Sequence, residues 1–414
     1  MYMAPVLWFA LLSASAADIT PAFEARDVGR LMRLWHEASP TLLADRKRLT
    51  ALALDDVRIA ADGNRLEVRD AAGTLLEQYE LVVRDERIWS LARPEPATPL
   101  AQAREQLHRG FEQLDAGAME AAQAAFTRAA ELADASGHAS TRAAAQRNLG
   151  IVAATRGDSA SAARHYESAL AIARAAGDRH GEGRTLVQLG HLDRTAGNFP
   201  RAAERFREAL QIFRASGHRL AAAHTQLGLA IVHSIRAEHD QALPLLTEAA
   251  KTFEELGDID GHAATLNALG VRERNRGAYA EGAALLRRSL ELYRSIGNLN
   301  GIGNAQGNLA VTLAMQGQYA EAVTAFREAL SIHERLGRFH NVMVSLGNTG
   351  EMYRLLGDHE QAREHFERAL AMAEQAGFRP GISNALHNLA QLRLDADDPH
   401  GAIELYEKSL AIDQ

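Results

Sequence analysis

The sequence predicts a mostly α fold, an α-solenoid of stacked two-helix units behind a small α+β domain, and three observations carry the prediction. Glycine recurs every 40 residues, at 137, 177, 217, 257, 297, 337 and 377; a second series stands at 117, 157, 197, 277, 317 and 357, with Ala237 and Asp397 in its two other places. Between these stops one register repeats small, large, small, as in Ala202, Phe206 and Ala209 or Ala322, Phe326 and Ala329, positions that share one helix face. Before residue 96 the hydrophobic period changes to alternation. A fixed period of this length marks a repeat array, in which each unit buries its apolar face against the next.

The composition narrows the function. The chain has 414 residues, 47% hydrophobic and 24% charged, as a folded protein does. A net charge of -8 argues against a general binder of nucleic acid or anionic membrane. Cysteine is absent, which excludes disulfide scaffolds, thiolate zinc sites and cysteine proteases.

Residues 1–17 carry no charge, and their apolar run Pro5 to Leu12 ends in Ala14-Ser15-Ala16, the pattern of a secretory signal peptide too short to span a bilayer, although no basic residue precedes the run. Export to the periplasm or the medium is the expectation; the other reading, a buried apolar N-terminal segment, would leave the chain cytoplasmic. Residues 18–95 read as the α+β domain. Phe23, Val28, Leu31, Leu34 and Trp35 give a first helix over 21–37, Ser39-Pro40 breaks it, and 42–54 gives a second. Four strands follow around Val57 and Ile59, Leu66 and Val68, Tyr79 to Val83, and Ile88 to Leu91, with a turn at Asp62-Gly63-Asn64. Two helices on a four-stranded antiparallel sheet close this domain. Pro94, Pro96 and Pro99 read as a stiff linker into residues 96–414, an array of about eight hairpins.

The repeat resembles the tetratricopeptide repeat in its forty-residue form. Its first helix carries Leu-Gly or Leu-Ala (Leu149-Gly150, Leu189-Gly190, Leu269-Gly270, Leu309-Ala310, Leu389-Ala390), and its second carries Ala-x-x-x-Phe/Tyr-x-x-Ala. The spacing resembles that of Pins-type scaffolds and kinesin light chains, which implies a right-handed superhelix with a concave groove. Two departures are visible: Leu227-Gly228 is displaced by two residues, and Pro244 lies inside a second helix. The run Asp27 to Pro40, with Arg46-Lys47-Arg48-Leu49, resembles the module ahead of helical repeats in exported bacterial proteins that end in a CHAT-type peptidase.

The groove should be lined by the first helix of each hairpin. With Gly150 and its equivalents at offset zero, offsets -6, -2, +1 and +5 fall within about 60° of one another, away from the packing face. They spell a polar stripe: Asn148, Gln188, Asn308, Asn348 and Asn388 at -2; Arg184, His224, Asn304 and Asn384 at -6; His191, Glu351 and Gln391 at +1. Arg194, Arg274 and Arg354 stand at +4, and Arg147, Asn267 and His387 just before the -2 row. A carboxamide offers two donors and an acceptor, so one per repeat can pair with the backbone of an extended chain. It can also bond to the neighbouring hairpin and order the stack; recurrence at one register favours binding. In the resembled scaffolds an Asn at this place holds peptide main chain. The candidate peptide-binding residues are therefore Asn148, Arg184, Gln188, His191, Asn304, Asn308, Asn348, Arg354, Asn384 and Asn388, with the main contacts expected between 300 and 391. The arginines would reach carboxylates, so the expected partner is an extended, partly acidic segment of another protein.

No catalytic, cofactor or metal set is expected. The 17 histidines form no metal-ligand motif, Gly181-Glu182-Gly183 and Gly301-Ile302-Gly303 follow no strand, and no Gly-x-Ser-x-Gly is present. The sequence stops at Gln414 inside a second helix, with Leu405, Tyr406, Leu410 and Ile412 expected at the surface. Three readings fit: a fragment of a longer protein, an end-to-end dimer, or a frayed last hairpin. The first is favoured, and the second functional reading follows from it: a regulatory or sensor part of a larger enzyme whose catalytic domain lies outside this chain.

Overall fold

The computed structural model describes residues 98–413 and the strands 57–62, 65–70, 75–84 and 87–92. The expected signal peptide, the two helices over 21–54 and the residues that carry the CHAT-linked resemblance lie outside the described residues. The strands are β1 (Val57–Asp62), β2 (Arg65–Asp70), β3 (Leu75–Arg84) and β4 (Arg87–Ala92), paired antiparallel in sequence order. Ile59 stands opposite Val68, Leu66 opposite Tyr79, and Leu81 opposite Leu91.

Sixteen helices follow among the described residues. They are α1 (Pro99–Asp115), α2 (Met119–Ala135), α3 (Ala139–Thr155), α4 (Ser159–Ala175), α5 (Arg179–Thr195), α6 (Phe199–Ala215), α7 (Arg219–Ile235), α8 (His239–Leu256), α9 (Ile259–Asn275), α10 (Tyr279–Ser295), α11 (Leu299–Met315), α12 (Tyr319–Arg335), α13 (Phe339–Leu355), α14 (His359–Gln375), α15 (Arg379–Asp395) and α16 (Pro399–Asp413). Each odd helix pairs with the even one after it. Pro99 opens α1 rather than extending a linker, as suits a residue whose missing N–H falls in the unpaired first turn. The chain divides into two compact units, Met1–Asp258 and Ile259–Gln414.

The joints show why the period is so regular. Gly157 has φ +82°; its N–H donates to the Ala154 carbonyl at 3.0 Å, and the Asp158 N–H to that of Ala153 at 2.9 Å. The Asp158 carboxylate then accepts from the Ser161 N–H at 2.9 Å and caps α4. Glycine-then-Asp/Asn does the same before α5, α11 and α14. Ala237 (φ 58°) and Asp397 (φ 55°) take the left-handed turn without glycine.

Packing follows the small-large-small register. In the first unit Ala202, Phe206 and Ala209 have no exposed surface, and Phe206 joins Tyr166, Phe213, Leu186 and Leu189 in one core. In the second unit Leu286, Leu309, Leu313 and Phe326 form the corresponding core. A Cβ on Gly150 would lie 2.4 Å from the Tyr166 ring, so the Leu-Gly pair lets the large residue of the same hairpin close. Where serine replaces alanine, the hydroxyl finds a partner: Ser289 Oγ donates to the Ala263 carbonyl at 2.7 Å.

Both sequence departures are milder than they read. The register place near Leu227-Gly228 is held by Leu229 and Ala230, both buried, so the pattern is intact there; Gly228 makes room for the Phe206 ring, 2.9 Å from where its Cβ would be. Helix α8 runs on through Pro244.

Candidate functional site

In the second unit the first helices of the hairpins (α9, α11, α13 and α15) carry the amide row. Asn308 Nδ2 donates to Asn267 Oδ1 at 3.1 Å across α9 and α11. Asn341 Nδ2 stands 3.5 Å from Asn304 Oδ1, and on α15 Asn388 Nδ2 donates to Asn384 Oδ1 at 3.3 Å. Asn304 and Asn384 are exposed; Asn308, Asn348 and Asn388 are half-buried. The Asn308–Asn267 and Asn341–Asn304 contacts thus join neighbouring hairpins, as the stacking role requires, whereas Asn388–Asn384 stays within one helix, and each amide keeps donors and lone pairs over.

Between α13 and α15 opens a cleft of about 370 Å³. Its lining grades along the two helices. Met343, Val344, Phe378 and Pro380 stand toward the helix starts, and Asn348, Glu351, Asn384 and Asn388 further along. Asn348, Asn384 and Asn388 thus meet at one site, as the sequence row implies. The apolar half was not legible: Val344, 47% exposed, interrupts the polar -6 row, and Phe378 sits in the joint before α15.

Three expected site residues take other roles. Asn148 is only 2% exposed and cannot meet a ligand. Arg354 is occupied: Nε and Nη2 donate to the two Glu351 carboxylate oxygens at 2.8 Å each, and Nη1 to Asp395 Oδ2 at 2.6 Å. These bonds, that to Glu351 foremost, hold its guanidinium charged beyond the usual range, so it is not free for an incoming carboxylate. His191 lies edge-on to Phe206, ring centroids 5.0 Å apart; burial, then the charges of Arg194 and His224, push its pKa down to about 4, and it is neutral at pH 7. Arg184 and Gln188 are half-buried and share its face of α5.

The glycine pairs that mimic phosphate loops are packing devices. Cβ atoms on Gly301 and Gly303 would lie 2.4 Å from Tyr293 and 2.8 Å from His333, and Glu182 is held by Arg174 (2.8 Å) and Arg179 (2.6 Å). Among the described residues no cluster of three or more potential metal ligands occurs, and no helix is long and apolar enough to cross a membrane. Of the C-terminal apolar residues Leu410 is exposed, whereas Leu405, Tyr406 and Ile412 are half-buried, Tyr406 against the His387 ring at 5.3 Å.

Tetratricopeptide repeats match residues 148–215, 181–255, 261–335 and 341–414, more than half of the chain. The chain belongs to the tetratricopeptide repeat family. No curated protein matches it. Among solved structures, the apo quorum sensor NprR from B. thuringiensis superposes with a TM-score of 0.58 at 12% identity, over 76% of this chain and 88% of that one. A Rap protein complexed with competence and sporulation factor gives 0.53 at 12%, over 75% and 97%. A signal transduction ATPase with a tetratricopeptide repeat sensor, from Pyrococcus horikoshii, gives 0.56 at 13%, over 76% of this chain and 50% of that one. At these identities the likeness is one of fold: tetratricopeptide hairpins in tandem.

Proposed function

We propose that this tetratricopeptide repeat protein is a non-catalytic interaction scaffold that binds an extended polypeptide segment along α11, α13 and α15. The observation that carries the reading is the cleft between α13 and α15, where Asn348, Asn384 and Asn388 stand beside an apolar wall of Met343, Val344 and Phe378. Amides of this kind pair with peptide backbone, and the wall takes one side chain, which is how an extended chain is held with modest sequence demand. The Rap neighbour, solved with a bound factor, is consistent with such a use of the fold.

The test is a peptide-library capture with the full chain and the triple variant Asn308→Ala/Asn348→Ala/Asn388→Ala. Each backbone hydrogen bond contributes about 0.5–1.5 kcal/mol, so the variant should bind captured peptides at least about tenfold more weakly. Unchanged capture by a folded triple variant rejects the groove reading.

A second reading makes the array the sensor part of a larger enzyme. It is favoured by the likeness to the Pyrococcus horikoshii ATPase, half of which this chain spans. A longer reading frame encoding a catalytic domain would support it. Export, which residues 1–17 suggest, is tested by fusing them to a reporter active only outside the cytoplasm.

A further inference from the structure

The repeat contains its own worked example of an occupied cation site. Arg354 on α13 is met by Glu351, three residues before it, and by Asp395, forty-one residues after it and the last residue of α15. Two other arginines stand at the same register. Arg274 on α9 has Val271 three residues before it and Met315, the last residue of α11, forty-one after. Arg194 on α5 has His191 and Ile235, the last residue of α7, in those places. Neither guanidinium has a carboxylate partner among the described residues. Arg274 Nε and Nη2 share a single amide oxygen, Asn275 Oδ1, at 3.2 Å each. Arg194 Nε is buried with no hydrogen-bond partner among the described residues.

Both arginines are half-buried, and burial alone lowers the pKa of each. A guanidinium taken partly out of water without a counter-ion is a costly arrangement. Its planar fork matches a carboxylate bidentately, as Arg354 and Glu351 show within this fold. Where Asp395 stands in the occupied site, the open ones present an exposed aliphatic side chain: Met315 is 51% exposed and Ile235 49%. Resting on the groove reading above, we infer that Arg274 is a seat for a carboxylate of the bound polypeptide, with an apolar neighbour of that acid lying on Met315, and that Arg194 with Ile235 makes a separate seat of the same kind within the first unit. The acidic preference of the partner is thereby assigned to these two arginines and taken away from Arg354.

Two experiments test this. An array of 15-residue peptides is printed in twins, one with Asp and Glu, the other with Asn and Gln at the same places, and probed with the full chain and with Arg194→Gln, Arg274→Gln and the double variant. The wild type should capture acidic twins that carry an adjacent aliphatic residue about tenfold or more tightly than their amide twins, and the double variant should capture both alike. Equal capture of twins by the wild type, or an undiminished preference in the double variant, overturns the inference while leaving the groove reading standing. No capture of any peptide by the wild type rejects both. The second experiment needs no ligand: Val271→Glu/Met315→Asp copies the Arg354 surroundings onto Arg274. It should raise Tm above that of Val271→Gln/Met315→Asn and abolish the acidic preference of the Arg194→Gln background. An equal Tm would show that Arg274 lacks no counter-ion and would overturn the assignment.

Discussion

His191 offers a quantitative test of how this face is built. Its ring lies on Phe206 beside Arg194 and within the influence of His224, and it takes its proton near pH 4 instead of 6.5. At pH 5 the unfolded ring is largely protonated and the native one largely neutral, so the unfolded chain binds more protons and stability falls as pH drops from 6.5 toward 4. Between pH 7 and 5 a fully shielded ring with these values contributes a loss of about 2 kcal/mol. His191 keeps some contact with solvent, which reduces the expectation to about 1–1.5 kcal/mol. His191→Gln removes the titration while keeping a polar, planar side chain. Urea denaturation followed by circular dichroism at pH 7, 6 and 5 should show the wild type losing that much more stability than the variant across the interval. Parallel profiles would refute the reasoning, because every other titrating group is common to both proteins.

Further predictions concern the joints and the core. Ala237→Gly should stabilise the protein by about 0.5–1 kcal/mol, since the left-handed turn costs a non-glycine residue about 1–2 kcal/mol and the extra freedom of unfolded glycine offsets part of the gain; a lower denaturation midpoint would contradict this. Phe206→Ala removes a ring with no exposed surface and should cost about 3–5 kcal/mol. Hydrogen exchange should locate the loss in α5 to α7, and uniform protection across those helices would count against it.

What the sequence shows of this fold is what the chain decides locally. A left-handed joint followed by a cap needs glycine and then Asp or Asn within two residues, so the stops stand out as a period. The small-large-small face is equally plain because i, i+4 and i+7 are one surface of one helix. The same reasoning failed at Leu227-Gly228, where the conspicuous glycine belongs to the packing of Phe206 and the register is kept by Ala230. The amide row on α11 to α15 was readable because it repeats. The fate of Arg354 was not, because one of its two partners is forty-one residues away on another helix. Nor was the burial of Asn148, which carries the same residue type as Asn348 at the same offset and differs only in what covers it. The apolar half of the cleft has no period at all, being assembled from a row-breaking valine, a joint residue and Pro380.

Most of the described helices are seventeen residues long with three-residue junctions between them, so the chain is ruled in intervals of twenty. A single inserted residue inside a helix would swing every later side chain of that helix by about 100° and aim its amides at the wrong neighbour. Removing or duplicating forty residues between equivalent points would instead rejoin like with like, leaving each caps-and-stops junction and each Phe-against-Gly contact with a chemically matching counterpart. Growth or shrinkage by whole double intervals is therefore a length change this architecture tolerates cheaply. It alters how many hairpins the array holds without altering how the side chains within each are held.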